Sequence, residues 1–568
     1  MATHTLVDTD SVQIIANKWL DDVRQYGVNV DTLFKHGTIN AALSNIGTVT
    51  QTTIVVTENT AVNANTDLTS YPNIKWLFLG AGKLTPATAV TLTLYSPDTI
   101  TADPTQYILD GTNGTVTFAK PGTASARWMG AVADGTTNDR AKLMLIITAL
   151  PSGSALYFPA TAAYYKILST LDVPLRTNFR FFGAGRGSRI QNDTANLGVF
   201  SITAGSDGLE IDHLKLQSTG ALSTLGRGLI YFNPDATATA IKYPRIHHCF
   251  LAAGSTCGIS GNFITDGTFV HNVFDNDGSA YGEHGLYFGP SGGSSARNII
   301  SENTFVNTAS GTSGGITIAG SQSDHTISQN IIVGWRDGVL INDNSTGSLS
   351  GATFTGNRIS GQLRDNISFF QSDTVSAATG CTLVGNRLTG AGRTGIRADW
   401  VTECLFQGNR ITGAAETGVR TNKMTNCEWI GNTIRDNDAD SNGSSGDDSA
   451  GIRLNQDNTN NLFLFNTLTV SNVSNYQKYG LSVGSSGNTG NTYHGNKMKS
   501  NRTADYDVPS GTVLSEVARV AIVATADLPS AATAMNGTLY IEDGGAGNGN
   551  LVLYNGGQRF RIDGGSNV

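Results

Sequence analysis

The chain has 568 residues, 67 of them glycine, and only 14% are charged, against roughly a quarter in ordinary globular chains. Its net charge of −8 comes without a basic run, which argues against a nucleic-acid partner, and no apolar run approaches the ~20 residues of a membrane span. Five cysteines with no C-x-x-C pair supply neither a disulfide framework nor a zinc site, and the length calls for several domains or one elongated one.

Residues 1–51 are expected to form an N-terminal attachment segment. Met1 to Asp10 holds two acids and no apolar core, so no secretory signal is expected there, and any export would follow another route. Val12, Ile15, Trp19 and Val23 are spaced for one short amphipathic helix over 11–25. Its stripe serves attachment or trimerisation, or packs on the chain's own next domain. Residues 52–125 read as a β-rich leader, with runs at Thr53–Thr57, Lys75–Leu79, Val90–Tyr95 and Thr115–Phe118 between Gly, Pro, Asn and Asp turns.

Residues 126–190 open on Trp128-Met129-Gly130-Ala131-Val132-Ala133-Asp134-Gly135-Thr136-Thr137-Asn138-Asp139, followed by the apolar run Leu143–Leu150 and then Pro151-Ser152-Gly153-Ser154-Ala155-Leu156-Tyr157-Phe158-Pro159. This stretch resembles the opening of the pectate-lyase-like β-helix superfamily, found in phage tailspikes and polysaccharide-degrading enzymes. That family reads W-F-G-A-x-G-D-G-x-T-D-D there, so Ala133 and Asn138 depart from it. The resemblance implies an Asp-Gly turn leading into a helix that caps a solenoid, with the first coil after it. It bears on fold and is weak for activity.

From 191 to 510 the spacing itself predicts a parallel β-helix. Gly-Asn-x-apolar recurs at Gly356-Asn357, Gly385-Asn386, Gly408-Asn409 and Gly431-Asn432, and the last three Asn share a 23-residue step with Cys381, Cys404 and Cys427. Each period holds two short alternating runs and turns too short for a helix. The Asn should stack as an amide ladder that extends to Asn330, Asn303 and Asn272 and forward to Asn466 and Asn496, nine coils in all, with His248 and Asp212 as earlier members. The cysteine stack is expected to be core filler. Residues 518–568 then read as a small β module, with strands at Thr538–Glu542, Leu551–Tyr554 and Arg559–Ile562. The fold class expected is therefore all-β: a right-handed parallel β-helix with a leader and a C-terminal module.

A solenoid turns sequence period into columns, and the candidate sites follow from that. Asp337 and Asp365 should stack a coil apart, with Arg336, Arg364 and Arg393 beside them and Trp335 offering a sugar-stacking face. Carboxylates ~5 Å apart would suit a retaining glycosidase pair, and the alternative is an Arg/Asp surface ladder whose charges cancel. A second candidate is the turn Asp275 to His284, where Asp277, Glu283 and His284 could serve acid/base cleavage or β-elimination. It could equally be a tolerated insertion. Arg397, Arg420 and Arg453 should form one column, and Arg358, Arg387 and Arg410 another, suited to an anionic polysaccharide or to pairing with Glu403, Glu416 and Glu428. The acidic turn Asp436 to Asp448 has Ca²⁺-loop spacing, but Ser441 and Asp447 stand where glycine and glutamate are expected. A solvated loop is the other reading, and no cofactor is expected.

On the resemblance, the chain is expected to be a phage tailspike or tail-fibre protein of the virion tail. It would bind and depolymerise a host surface polysaccharide as a homotrimer, and contact other tail proteins through its N-terminus. The alternatives are a free bacterial polysaccharide lyase, hydrolase or epimerase, extracellular and monomeric, and a non-catalytic receptor-binding spike.

Overall fold

The structure is a computed structural model. It describes the backbone of residues 29–32 and 38–507, with breaks at 195–196, 220–227, 254–256, 276–283, 292, 308–313, 342–346, 371–376, 438–449, 472–476, 485–486, 500 and 502–503, and of four strands between 520 and 561. The helix expected over 11–25, Asp277, Glu283 and most of the acidic turn after Asn437 lie outside the described residues. Two compact units are present: residues 1–219 with 244–250, and residues 220–243 with 251–568. Among the described residues no helix is long and apolar enough to cross a membrane.

In the first unit the leader already follows coil grammar. Thr52–Val56 pairs in parallel with Ile74–Phe78, Asn59–Val62 with Lys83–Pro86, and Thr91–Leu94 with Thr115–Phe118. The opening motif then builds a helix, Arg140–Ala149, which buries Leu143, Ile146 and Ile147. Asp139 holds the approach: its carboxylate accepts from the backbone N–H of Val132 (2.7 Å) and Ala133 (2.9 Å). Ala133 has φ +57°, a left-handed conformation that costs an L side chain about 1 kcal/mol and that glycine adopts freely. This is the physical reason for glycine at that place in the family pattern.

In the second unit each coil has the same plan. Thr326–Ser328 runs to a bend at Gln329 and Asn330, Ile331–Val333 follows, a turn leads to Asp337–Ile341, and Leu349–Ser350 returns the chain to the next rung at Thr353–Thr355. Every pairing in this solenoid is parallel, so strands of equal role form three sheets. We call them the corner sheet (two three-residue strands per coil), the long sheet (Asp337–Ile341 and its equivalents) and the short sheet (Leu349–Ser350 and its equivalents).

In the corner sheet the middle residue of each strand points inward. Phe354, Leu383, Phe406, Trp429 and Phe463 make one buried file and Ile359, Leu388, Ile411, Ile434 and Leu468 another. Phe406 lies flat on Trp429, with ring centroids 3.8 Å apart. Each such side chain removed from water contributes about 1.5–3 kcal/mol, and it does so only against the neighbouring coil.

The predicted amide ladder is present. Asn409 Oδ1 accepts from the backbone N–H (3.0 Å) and side-chain Nδ2 (2.9 Å) of Asn386, while Asn409 Nδ2 donates to Leu383 O and Asn432 Oδ1. The same pattern runs from Asn272 to Asn496. Two earlier members were misassigned. In the first unit the bend position belongs to Cys249 and Leu214, because Cys249 Sγ reaches Ile211 O as the Asn side chains reach the carbonyl one coil back, and His213 and His248 take the left-handed place just before.

The cysteines do more than fill space. The backbone N–H of Cys381 donates to Cys404 Sγ, that of Cys404 to Cys427 Sγ (both 3.3 Å), and that of Cys427 to Asn461 Oδ1 (2.8 Å). His325 Nδ1 serves the same role for Asn298 (3.2 Å). This second ladder mixes sulfur, imidazole and amide acceptors at one bend.

Ladder partners are separated by as few as 23 residues and as many as 34, yet every rung is in register. The residues beyond the shortest coil fall between the corner strands and the long sheet, as between Thr433–Arg435 and Ala450–Leu454, or between the long and short sheets, as between Asp337–Ile341 and Leu349–Ser350. At the C-terminal end, Leu539–Asp543, Asn550–Asn555 and Gln558–Arg561 form the expected meander, and Val520–Ala524 adds to it in parallel.

Candidate functional site

The long sheet carries a phrase of glycine, an apolar residue and a variable residue. Gly395 and Gly418 show why glycine recurs there: a Cβ would run into the core isoleucine behind it (Ile411, Ile434) and the carbonyl of the next coil. The apolar residue fills the core and the variable residue points away from it. In register those outward residues are Tyr231, Ser260, Tyr287, Thr317, Leu340, Ser368, Arg397, Arg420, Arg453 and Ser482. The expected Arg397–Arg420–Arg453 column is thus one end of a longer file. Arg358, Arg387 and Arg410 form their own column on the corner sheet, where they are exposed.

One end of the file is an aromatic cleft of about 170 Å³ lined by Tyr231, Gly261, Asn262, Tyr287 and Pro290. Both tyrosines are half-buried, and Ser260, on the rung between them, has a buried hydroxyl without a hydrogen-bond partner. His284 backs Tyr287: the rings stack at 4.9 Å and 20°, and His284 Nδ1 lies 2.7 Å from Thr317 Oγ1. Burial, helped by the charge of Arg336, depresses the imidazole pKa to about 3, so it is neutral at ordinary pH and acts there as a hydrogen-bonding group.

The other end is charged. Arg397 Nε lies 2.6 Å from Asp399 Oδ2, and its guanidinium covers the Phe370 ring at 4.2 Å. Asp399 is 3% exposed, its second oxygen has no partner, and burial raises its pKa although Arg397 and Arg420 pull the other way. A carboxyl whose pKa burial raises is a candidate proton donor. Arg420 Nε is buried without a partner.

Asp337 and Asp365 do stack as expected, but as links in a chain of charges. Arg364 donates to both oxygens of Asp337 (2.9 and 2.7 Å) and sits 3.5 Å from Asp365, and Arg393 grips Asp365 (3.1 and 2.6 Å). Arg336 adds a third contact at 3.0 Å. Neither carboxylate has any exposed surface. Burial pushes Asp337 above the usual carboxylate range against the pull of Arg364. Trp335 is also fully buried, so the sugar-stacking face expected of it is not offered to solvent; its neighbours are core side chains because the turn folds it inward.

The model of a family described as periplasmic copper-binding protein (NosD) matches residues 296–518. No curated protein sequence matches the chain. Among solved structures, it is similar to the A-module of mannuronan C-5 epimerase AlgE6 from Azotobacter vinelandii, over 69% of this chain and 97% of that one at 15% identity, with a TM-score of 0.49. It is also similar to the Dettilon tailspike protein (gp208), over 68% of each chain at 15% identity (TM-score 0.41), and to tailspike protein 3 of bacteriophage CBA120, over 78% of this chain and 69% of that one at 13% (TM-score 0.37). These are likenesses of fold. The parallel β-helix itself is established by the strand pairing.

Tyr231, Ser260, Tyr287 and Asp399 were not singled out from the sequence. The signal was there for two of them: Gly258-Ile259-Ser260 and Gly285-Leu286-Tyr287 carry the same glycine-led phrase as Gly395-Ile396-Arg397, whereas Leu229 takes the glycine place before Tyr231.

Proposed function

We propose that this chain binds a polysaccharide along the outward face of the long sheet and cleaves it there. The observation that carries the reading is the two half-buried tyrosines of the cleft at one end of the file, with the Arg/Asp cluster toward the other and two buried, unpaired hydroxyls, those of Ser260 and Ser368, on the rungs between. Unpaired polar atoms in a covered face cost about 1–3 kcal/mol each unless a ligand pairs them. Successive rungs stand ~4.8 Å apart, close to the length of one sugar unit, so a glycan laid along the axis would meet Tyr231 and Tyr287 two rungs apart, or Arg397, Arg420 and Arg453 on successive rungs. Tyrosines suit sugar faces and arginines suit uronate or other acidic groups. Titrated acidic and neutral bacterial surface glycans should bind with micromolar Kd. Tyr287→Ala should weaken binding about tenfold or more without unfolding the chain, and unchanged binding would end this reading.

Asp399 is the proposed proton donor in cleavage. Asp399→Asn should keep binding and lose release of reducing ends or unsaturated uronates by at least 100-fold. Asp337→Asn and Asp365→Asn should act mainly on stability. A glycan whose mobility shifts while its length stays constant, with the wild-type chain, would leave a receptor-binding spike in place of a depolymerase.

The finer reading is a trimeric tailspike or tail fibre of a virion, docked through residues 1–51. It rests on the resemblance of the segment 128–159 and of its leader. Light scattering of the intact chain should give three times 59.7 kDa. A monomer would favour a free polysaccharide-modifying enzyme.

A further inference from the structure

A separate cluster lies wholly in the first unit. Asp212 and His247 face each other across one rung, and His213 and His248 follow them at the bend with φ +52° and +54°. The rings of His213 and His248 are parallel, 4.9 Å apart and 3° from coplanar directions, and His247 stands edge-on to both. One ligand atom from each of Asp212, His213 and His247 lies within 4.8 Å of the others.

The carboxylates decide which nitrogens face inward. Asp212 Oδ1 is 2.7 Å from His213 Nδ1, and Glu210 Oε1 is 3.1 Å from His247 Nε2. A carboxylate on one ring nitrogen fixes the tautomer and leaves the other nitrogen with its lone pair, the arrangement that orients metal-binding histidines. His247 Nδ1, so exposed as an acceptor, stands 3.0 Å from His248 Nδ1. Two imidazole nitrogens that close either share a proton or share a metal, and adjacent ligands on ~2.0–2.1 Å bonds stand about 3 Å apart. Glu210 and Asp212 bring two carboxylates to the cluster; Arg180 binds Asp212 at 2.7 and 3.0 Å and stands 3.4 Å from Glu210, with Arg245 in register beside it. The His213 side chain is 47% exposed, so the cluster is open to solvent.

We propose that His213, His247 and His248 bind one divalent transition metal of the imidazole-preferring class, Zn²⁺, Ni²⁺ or Cu²⁺, with Asp212 orienting His213 and Glu210 orienting His247. Imidazole nitrogens select these ions over Mg²⁺ and Ca²⁺. The site clamps two successive coils. It lies outside residues 296–518, so it owes nothing to the name of the family model that matches there.

The test is calorimetric titration of chelator-stripped, tag-free, full-length protein with Zn²⁺ and, separately, Ni²⁺. The expected result is one equivalent per chain, with Ca²⁺ and Mg²⁺ giving no heat. His213→Gln with His247→Gln should weaken binding at least 100-fold while the far-ultraviolet spectrum stays the same. His271→Gln, which alters the histidine bonded to Glu302, should leave it unchanged. Cu²⁺-loaded protein should show nitrogen hyperfine coupling in its electron paramagnetic resonance spectrum, lost in the double variant. No stoichiometric uptake, equal uptake by the folded double variant, or loss of uptake in His271→Gln would each overturn the proposal.

Discussion

The bends and the long sheet of the same coils treat polar side chains in opposite ways. At the bends, Asn272 to Asn496 repeat one residue type and pair with one another rung after rung. On the long sheet, Tyr231 to Ser482 repeat a position while the residue changes, and Ser260, Ser368 and Arg420 keep buried polar atoms unpaired. A solenoid needs its bends identical because each coil is the template for the next, and saturated hydrogen bonding there leaves nothing for a ligand. Where register is kept but identity varies, the coil template does not dictate the side chain.

The strongest way to break this contrast is Asn409→Leu. It strands the backbone N–H of Asn386 and the carbonyl of Leu383, while Asn432 Oδ1 keeps the backbone N–H of residue 409, and should cost about 4 kcal/mol in denaturant unfolding. A loss below about 1 kcal/mol would mean that the ladder is incidental to stability.

Next comes acid. Burial depresses the pKa of His325, like that of His284, to about 3. The folded ring stays neutral while the unfolded one takes a proton below about 6.5. The unfolded state therefore binds more protons between those values, and stability falls with falling pH by up to about 1.4 kcal/mol per pH unit per histidine, levelling off near pH 3. His325→Asn supplies the acceptor that Asn461 already supplies in this ladder and should remove one proton from that slope. An unchanged slope between pH 6 and 4 would show that the ring titrates in the fold.

The long sheet should answer differently. Tyr287→Ala should shift the unfolding midpoint little and weaken glycan binding about tenfold or more, since a buried aromatic contact is worth about 0.5–1.5 kcal/mol beyond its area. Equal losses in stability and binding would erase the distinction between the two regions. The smallest effect is expected for Cys404→Asn. It exchanges a sulfur acceptor for the amide used at Asn461 and Asn491 in the same ladder, and stability should stay within about 1 kcal/mol. A larger loss would show that the thiol's size, and not its acceptor, is what the bend requires.

The bends could be read from the sequence because Gly-Asn and Cys recur together at a constant 23-residue step between Cys381 and Asn432, and hydrogen-bonding identity is what a ladder conserves along itself. Reading outward from that block becomes unreliable once coil lengths change. That is why Cys249 was overlooked and His248 took its place: a shift of one residue at a bend is invisible without the next rung. The Asp337–Asp365 stack was foreseen as a column, but burial of both carboxylates is a property of what covers them, which periodicity does not record. His213 and His247 are 34 positions apart in sequence, no known ligand spacing, and one coil brings them together. Asp399 was passed over for a similar reason, since only its lost exposure and missing partner distinguish it from other aspartates.

Coil length varies from 23 to 34 residues, and the surplus flanks the long sheet while the ladders stay in step. In evolutionary terms the scaffold separates heredity of shape from heredity of taste. Within this one chain, segments bordering the file differ in length without a compensating change in any bend. An engineer could exchange those segments by cut-and-splice at the boundaries and leave the ladders in step.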